Sequence, residues 1–285
     1  MKLVTFKHAE KVSYGVLRDE FIHDLGAQFS PLYPTLRNAI ENIAFDELNI
    51  SNDYKIPLSA VALLPPIPDP EKIICIGLNY RAHAAEGGFS VPENPSLFAR
   101  LTNSLVGTES PMILPVMSSQ FDYEGELALI IGKSGRHIES SRALEHIFGY
   151  SCFNDASLRD IQFNHSLTAG KNFPSTGGFG PWIVTTDEIP DPTKLILTTR
   201  LNGKQVQKKG IDDMIFNVAS IVAYVSSWTD LRVGDVIATG TPEGVGFARK
   251  PQLWMRSGDT VEVEISNIGI LRNTIFGEMI SGKNN

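Results

Sequence analysis

The chain has 285 residues, 42% of them hydrophobic and 20% charged, with a net charge of −7. An acidic surplus disfavours nucleic acid and anionic membranes as partners, so a small molecule is the expected ligand. Cys75 and Cys152 are too few for a disulfide framework and lack zinc spacing, and no apolar run is long enough for a signal peptide or a spanning helix; the expected compartment is the cytoplasm.

Taken in order, residues 1–68 read as a small N-terminal α/β domain. Alternating apolar runs at 3–6 and 14–17 suit short strands, and 35–45 suits a short helix. His8 and His23 stand apart from any motif and read as surface or packing histidines. Prolines at 65, 66, 68 and 70 then break regular structure, because each fixes φ and removes a donor, and a boundary is placed there. Residues 69–285 form the second, larger unit. A strand at 72–77 leads into a loop or short helix carrying Asn79, Tyr80, Arg81, His83 and Glu86, closed by the hinge-permitting pair Gly87 and Gly88. Asn202 and Gly203 between strand-like runs signal a tight hairpin. Apolar residues at helical spacing predict an amphipathic helix over 212–228, and 260–265 alternates with valines inward and glutamates outward. The expected class is mainly β with a few helices, an α+β arrangement.

The chemistry centres on residues 121–132. Read as a strand, this run projects Glu124 and Glu126 to one side and Leu127, Leu129 and Ile131 to the other. Adjacent carboxylates repel, so they need a proton, a basic neighbour or a cation between them. Asp155 offers a third carboxylate. Three oxygen ligands without cysteine or a nearby histidine run suit magnesium or manganese rather than zinc, although acid-x-acid pairs also occur on solvated strand faces. His83 and Glu86 lie three apart, so on a helical turn the carboxylate either orients a basic imidazole or makes an exposed ion pair. Lys171 sits in a glycine-rich stretch, residues 169–181, that lets backbone approach a ligand. Neither this stretch nor residues 132–134 fits the phosphate-loop spacing, and no dinucleotide fingerprint is present. The turn at 239–246 offers backbone amides and the Thr241 hydroxyl to a carboxylate.

The order of motifs is specific: Asn-Tyr-x-x-His-x-x-Glu, Asp-Tyr-Glu-x-Glu, Asn-Asp-x-x-x-Arg-Asp-x-Gln, Gly-Lys, and Gly-Asp-x-Ile-x-Thr-Gly-Thr-Pro-x-Gly-Val-Gly. In this order the chain resembles the fumarylacetoacetate hydrolase family. The resemblance implies a mixed β-sandwich roll with a small N-terminal domain, a homodimer or larger homo-oligomer, and magnesium or manganese at Glu124, Glu126 and Asp155. It further implies a lid segment carrying His83 and Glu86, Lys171 facing the ligand, and substrate contacts from Arg81, Arg159, Gln162 and Thr241. Two departures stand out: Phe173 is followed by Pro174, Ser175, Thr176 and two glycines, and Arg100 stands where a lysine is usual.

The expected reaction is metal-dependent hydrolysis of a carbon-carbon bond in a 2,4-dioxo acid of the acylpyruvate type, giving pyruvate and a second acid, with His83 as base and Glu86 behind it. Decarboxylation of a β-keto acid, isomerisation of an unsaturated dioxo acid, and metal and ligand binding without catalysis are the alternatives.

Overall fold

The computed structural model describes residues 1–43, 45 and 54–279. Its order begins with an antiparallel hairpin, Lys2–His8 and Lys11–Arg18, extended by Phe21–Asp24. The strand period decides its packing. Leu3 faces one hydrophobic cluster with Tyr14 and Val16, while Val4 and Phe6 face another with Leu17 and Ile22. The helix Leu36–Asn42 starts where the Thr35 hydroxyl accepts the Asn38 amide at 3.3 Å, and it covers the first of those clusters.

Lys2–His8 also pairs with Gly177–Thr185, so hydrogen bonding runs continuously across the proline-rich boundary into a twelve-stranded mixed sheet. Inside that sheet lie Gly177–Thr185, Ile147–Asn154, Gly125–Ile131, Val236–Ala238 and Ile73–Gly77, in that spatial order. A second sheet of five strands packs on one face. Leu127, Leu129 and Ile131 share a cluster there with Leu197, Val263 and Ile265. Ala128 and Ile130 point the other way, towards Phe153, Val236 and the N-terminal helix. Gly125–Ile131 is therefore buried along its whole length, and truncating Leu129 to alanine would cost about 2–5 kcal/mol. The molecule is a mainly β sandwich with a few short helices, as the sequence implies.

Local signals fared unevenly. Asn202 and Gly203 both have positive φ (53° and 76°) and turn the hairpin between Ile196–Leu201 and Lys204–Gly210. Thr260–Ile265 alternates as expected. The helix expected over 212–228 is shorter, Val218–Trp228, because the Asn217 side chain accepts the Ser220 amide at 2.9 Å and starts it there. Asp212 and Asp213 form a separate 3-10 turn. No helix among the described residues is long and apolar enough to cross a membrane.

Candidate active site and metal centre

At the end of the buried Ala128–Ile130 side, the sheet stops being apolar. Glu124 immediately precedes the strand Gly125–Ile131, Glu126 is its second residue, and Asp155 immediately follows the neighbouring strand Ile147–Asn154. The two chains are tied at this point: the Asp155 amide donates to the Glu124 carbonyl (2.9 Å), and the Glu124 amide donates to the Asn154 side chain (3.0 Å). One carboxylate oxygen from each of Glu124, Glu126 and Asp155 lies within 4.8 Å of the others, and all three residues are buried. The solvated-face alternative is thereby removed.

Buried carboxylates need compensation, and here it is unequal. Lys171 Nζ donates to Glu124 Oε2 and Asp155 Oδ2, each at 2.5 Å, and to the Asp155 carbonyl at 2.8 Å. Arg159 donates to Glu124 Oε1 at 2.6 Å and to Asp122 Oδ2 at 2.9 Å, while Arg100 donates to Asp155 Oδ1 at 2.7 Å. Burial alone would raise the Glu124 pKa, but Arg159 and Lys171 outweigh it and hold this carboxyl well below the usual carboxylate range. Glu126 behaves oppositely. Burial, then the charges of Asp155 and Glu124, push it well above that range. Its one hydrogen bond comes from the Gly240 amide (2.8 Å), and it makes no ion pair among the described residues.

That imbalance tests whether the site suits a cation. The donors are all oxygen, they converge, one carboxylate lacks a cationic partner, and an ammonium already bridges the other two. The set fits a hard divalent ion, with Glu124, Glu126 and Asp155 as its holders.

The helix Arg81–Glu86 carries the second group. His83 Nδ1 lies 2.9 Å from Glu86 Oε1, and both Glu86 oxygens accept the Gly244 amide (3.0 and 2.8 Å). With Nδ1 turned to the carboxylate, Nε2 is the nitrogen left for a ligand. Gly244 can hold this place because its φ is +102° and a Cβ there would come within 2.3 Å of the Val206 carbonyl. The same loop holds more than one acid. The amides of Gly246 (2.6 Å) and Phe247 (3.0 Å) donate to the two oxygens of Asp122, which in turn orients Arg159.

These groups surround a cavity of about 290 Å³. Its lining includes His83, Glu124, Glu126, Asp155, Arg159, Gln162, Lys171 and Thr241, so eight residues from distant parts of the sequence meet. Gln162 accepts from Arg159 at 2.9 Å. Thr241 is more of a peg, since its hydroxyl donates to the Gly125 carbonyl and accepts from Gln207, each at 2.9 Å. Three amides of its loop, those of Gly240, Gly244 and Gly246, are given to the chain's own Glu126, Glu86 and Asp122. Arg81 lies at the exposed start of its helix and does not line the cavity. It lies two positions before His83, which turns it to another side of the helix.

Lys171 also differs in setting: it ends the helix Leu167–Lys171, and the glycines after it belong to the strand Gly177–Thr185. They serve Arg100 instead, because a Cβ on Gly177 would lie 2.6 Å from its guanidinium. Asp122 and Arg100 also belong to the site, although the sequence reading gave neither a role there. Asp122 had a signal, for it extends the alternation of Glu124 and Glu126 by one step.

Residues 72–276 match the family described as fumarylacetoacetate (FAA) hydrolase C-terminal. The chain is 39% identical over 222 residues to the rat mitochondrial oxaloacetate tautomerase Fahd2a, covering 77% of this chain and 71% of that protein. Among solved structures it resembles a fumarylacetoacetate hydrolase from psychrophilic Exiguobacterium antarcticum, with TM-score 0.85, 36% identity and coverage of 98% and 100% of the two chains. It also resembles a 5-carboxymethyl-2-hydroxymuconate delta-isomerase from Mycobacterium smegmatis, with TM-score 0.80, 30% identity and the same coverage.

Proposed function

Because the chain belongs to the fumarylacetoacetate hydrolase family, we propose that it is a divalent-metal-dependent enzyme that hydrolyses a carbon-carbon bond of a 2,4-dioxo acid of the acylpyruvate type. The observation that carries this reading is that a histidine backed by a carboxylate lines the same small cavity as three converging buried carboxylates. When bound, a magnesium or manganese ion supplies positive charge to the carboxylate and neighbouring keto oxygen of such an acid.

The protein groups do the rest. His83 Nε2 removes a proton from water, and Glu86, fixed by the Gly244 amide, stabilises the imidazolium that forms. The resulting hydroxide adds to the C4 carbonyl, the C3–C4 bond breaks, and its electron pair becomes the enolate of pyruvate. Lys171 and Arg159, which line the cavity, stabilise that developing negative charge, and the proton taken up by His83 passes to C3 to complete pyruvate. Gln162, with its carbonyl held by Arg159, presents an amide nitrogen to orient the substrate.

A second reading is favoured by the tautomerase relative: His83 moves a proton between C3 and the keto oxygen of an oxaloacetate-like acid, with no attacking water. Decarboxylation of a β-keto acid uses the same groups. Both cysteines are free and buried, which suits the cytoplasm, and assembly as a homodimer or larger oligomer is part of the proposal. The test is a panel of acylpyruvates and oxaloacetate with added magnesium or manganese, read by product mass and by deuterium uptake at C3. Pyruvate plus a second acid supports hydrolysis; deuterium exchange without mass loss supports tautomerisation; no reaction of any member contradicts the proposal.

A further inference from the structure

The floor of the cavity is densely charged, but its outer wall is not. Phe89, Phe163 and Leu167 line it while remaining 44%, 51% and 37% exposed, a heavy exposure for large apolar side chains grouped around one opening. They form a connected surface. The Phe163 and Phe247 rings meet edge to face with centroids 5.5 Å apart, and Phe247 reaches the Gly87 and Phe89 region of the histidine-bearing segment. Phe247 is also fixed from below by the Arg159 guanidinium, 4.5 Å from its ring centroid, so the aromatic wall begins where the charged floor ends.

The basic groups lining the cavity are His83, Arg159 and Lys171, and each is already bonded to a carboxylate of the chain. Arg81, His165 and Arg249, each two positions from a lining residue, lie outside the lining. Among the described residues the outer cavity therefore offers apolar contact and no uncommitted cation for a second carboxylate.

Resting on the dioxo-acid reading of the site, the geometry points to a substrate with one carboxylate, seated on the floor, and an apolar or aromatic arm beyond its second carbonyl, packed against Phe163, Phe247, Phe89 and Leu167. The compounds selected are acylpyruvates with an extended hydrocarbon or aryl group, and dicarboxylic acids such as oxaloacetate are disfavoured by the wall.

A matched pair of 2-oxo acids tests this without turnover. 2-Oxo-4-phenylbutanoate and 2-oxoglutarate share the oxo-acid head and two methylenes and differ in ending in phenyl or carboxylate. Binding to the manganese-supplemented protein is measured by calorimetry, with pyruvate as the head alone. The phenyl compound should bind at least about 10-fold more tightly than 2-oxoglutarate, the scale of discrimination an apolar pocket provides. Phe163→Ala should weaken the phenyl compound by about 5-fold and leave pyruvate unchanged, and Phe163→Lys should narrow or invert the preference. Phe163 is half exposed on a short surface helix, so both variants are expected to fold, which a melting curve verifies. Equal or tighter binding of 2-oxoglutarate by the native protein, or a phenyl affinity indifferent to Phe163, overturns the inference while leaving the oxo-acid site intact. Failure of all three acids to bind contradicts the reading of the site itself, and the inference with it.

Discussion

The floor and the wall of one cavity are built by opposite means. On the floor the carboxylates other than Glu126 are pinned by several partners: Asp155 receives Lys171 and Arg100, Glu124 receives Lys171 and Arg159, and Asp122 receives Arg159 and the amides of Tyr123, Gly246 and Phe247. At the wall, Phe163 meets the Phe247 ring edge to face and Phe89 lies beside the same region, both about half exposed. A pinned floor keeps ligand atoms in place before anything binds, which is what electrostatic catalysis requires. An apolar wall discriminates less sharply but tolerates different arms. Reaction chemistry should thus follow the floor and substrate range the wall.

The largest expected effect breaks the floor. Glu126→Gln keeps the shape and removes the one carboxylate that lacks a cationic partner, and kcat/KM should fall by at least about 1000-fold with magnesium or manganese present, measured by product formation. His83→Gln comes next, with a loss of about 100- to 10,000-fold in kcat while metal binding is retained, since the base is separate from the three holders. Survival of activity in either variant would dissolve the distinction between pinned chemistry and adaptable wall.

Gly244→Ala attacks the link between the two. It forces a side chain into φ +102° against the Val206 carbonyl, so a loss of stability of about 1–3 kcal/mol is expected from the backbone alone, seen as a lower denaturation midpoint. Activity should fall too, because the backbone displaced by the Val206 clash carries its amide away from Glu86.

A milder change sharpens the picture. Arg100→Lys keeps the charge but cannot reproduce the bonds from one guanidinium to Asp155, the Ala156 carbonyl, Thr176 and Ser104. Metal affinity should drop by about 10- to 100-fold, with kcat nearly restored at saturating metal, as titration and kinetics together would reveal. Lys194→Ala, far out in solvent, should change stability by less than about 0.5 kcal/mol.

What could be read from sequence follows the same division. Period-two alternation and the Asn202–Gly203 turn are local signals, and they predicted strands 260–265 and the hairpin because each depends on neighbours within a few residues. The acid pair was visible as spacing, yet spacing cannot distinguish a solvated face from a buried end of a sheet. Burial here comes from strands on either side, Ile147–Asn154 and Val236–Ala238, paired from far along the chain. The partners of Arg100 and of the Gly244 amide were invisible for the same reason: Arg100 meets Asp155 across 55 positions and Gly244 meets Glu86 across 158. Arg81 was misplaced because a motif records order but not which side of a short helix faces the cavity.

The most direct test of the central claim is calorimetric titration of manganese into chelator-stripped protein, comparing the native chain with Glu126→Gln and His83→Gln. The account predicts one ion per chain for the native protein and for His83→Gln, and at least about 100-fold weaker binding for Glu126→Gln. A native chain that takes up no ion, or a Glu126→Gln variant that binds it as the native chain does, would contradict the account.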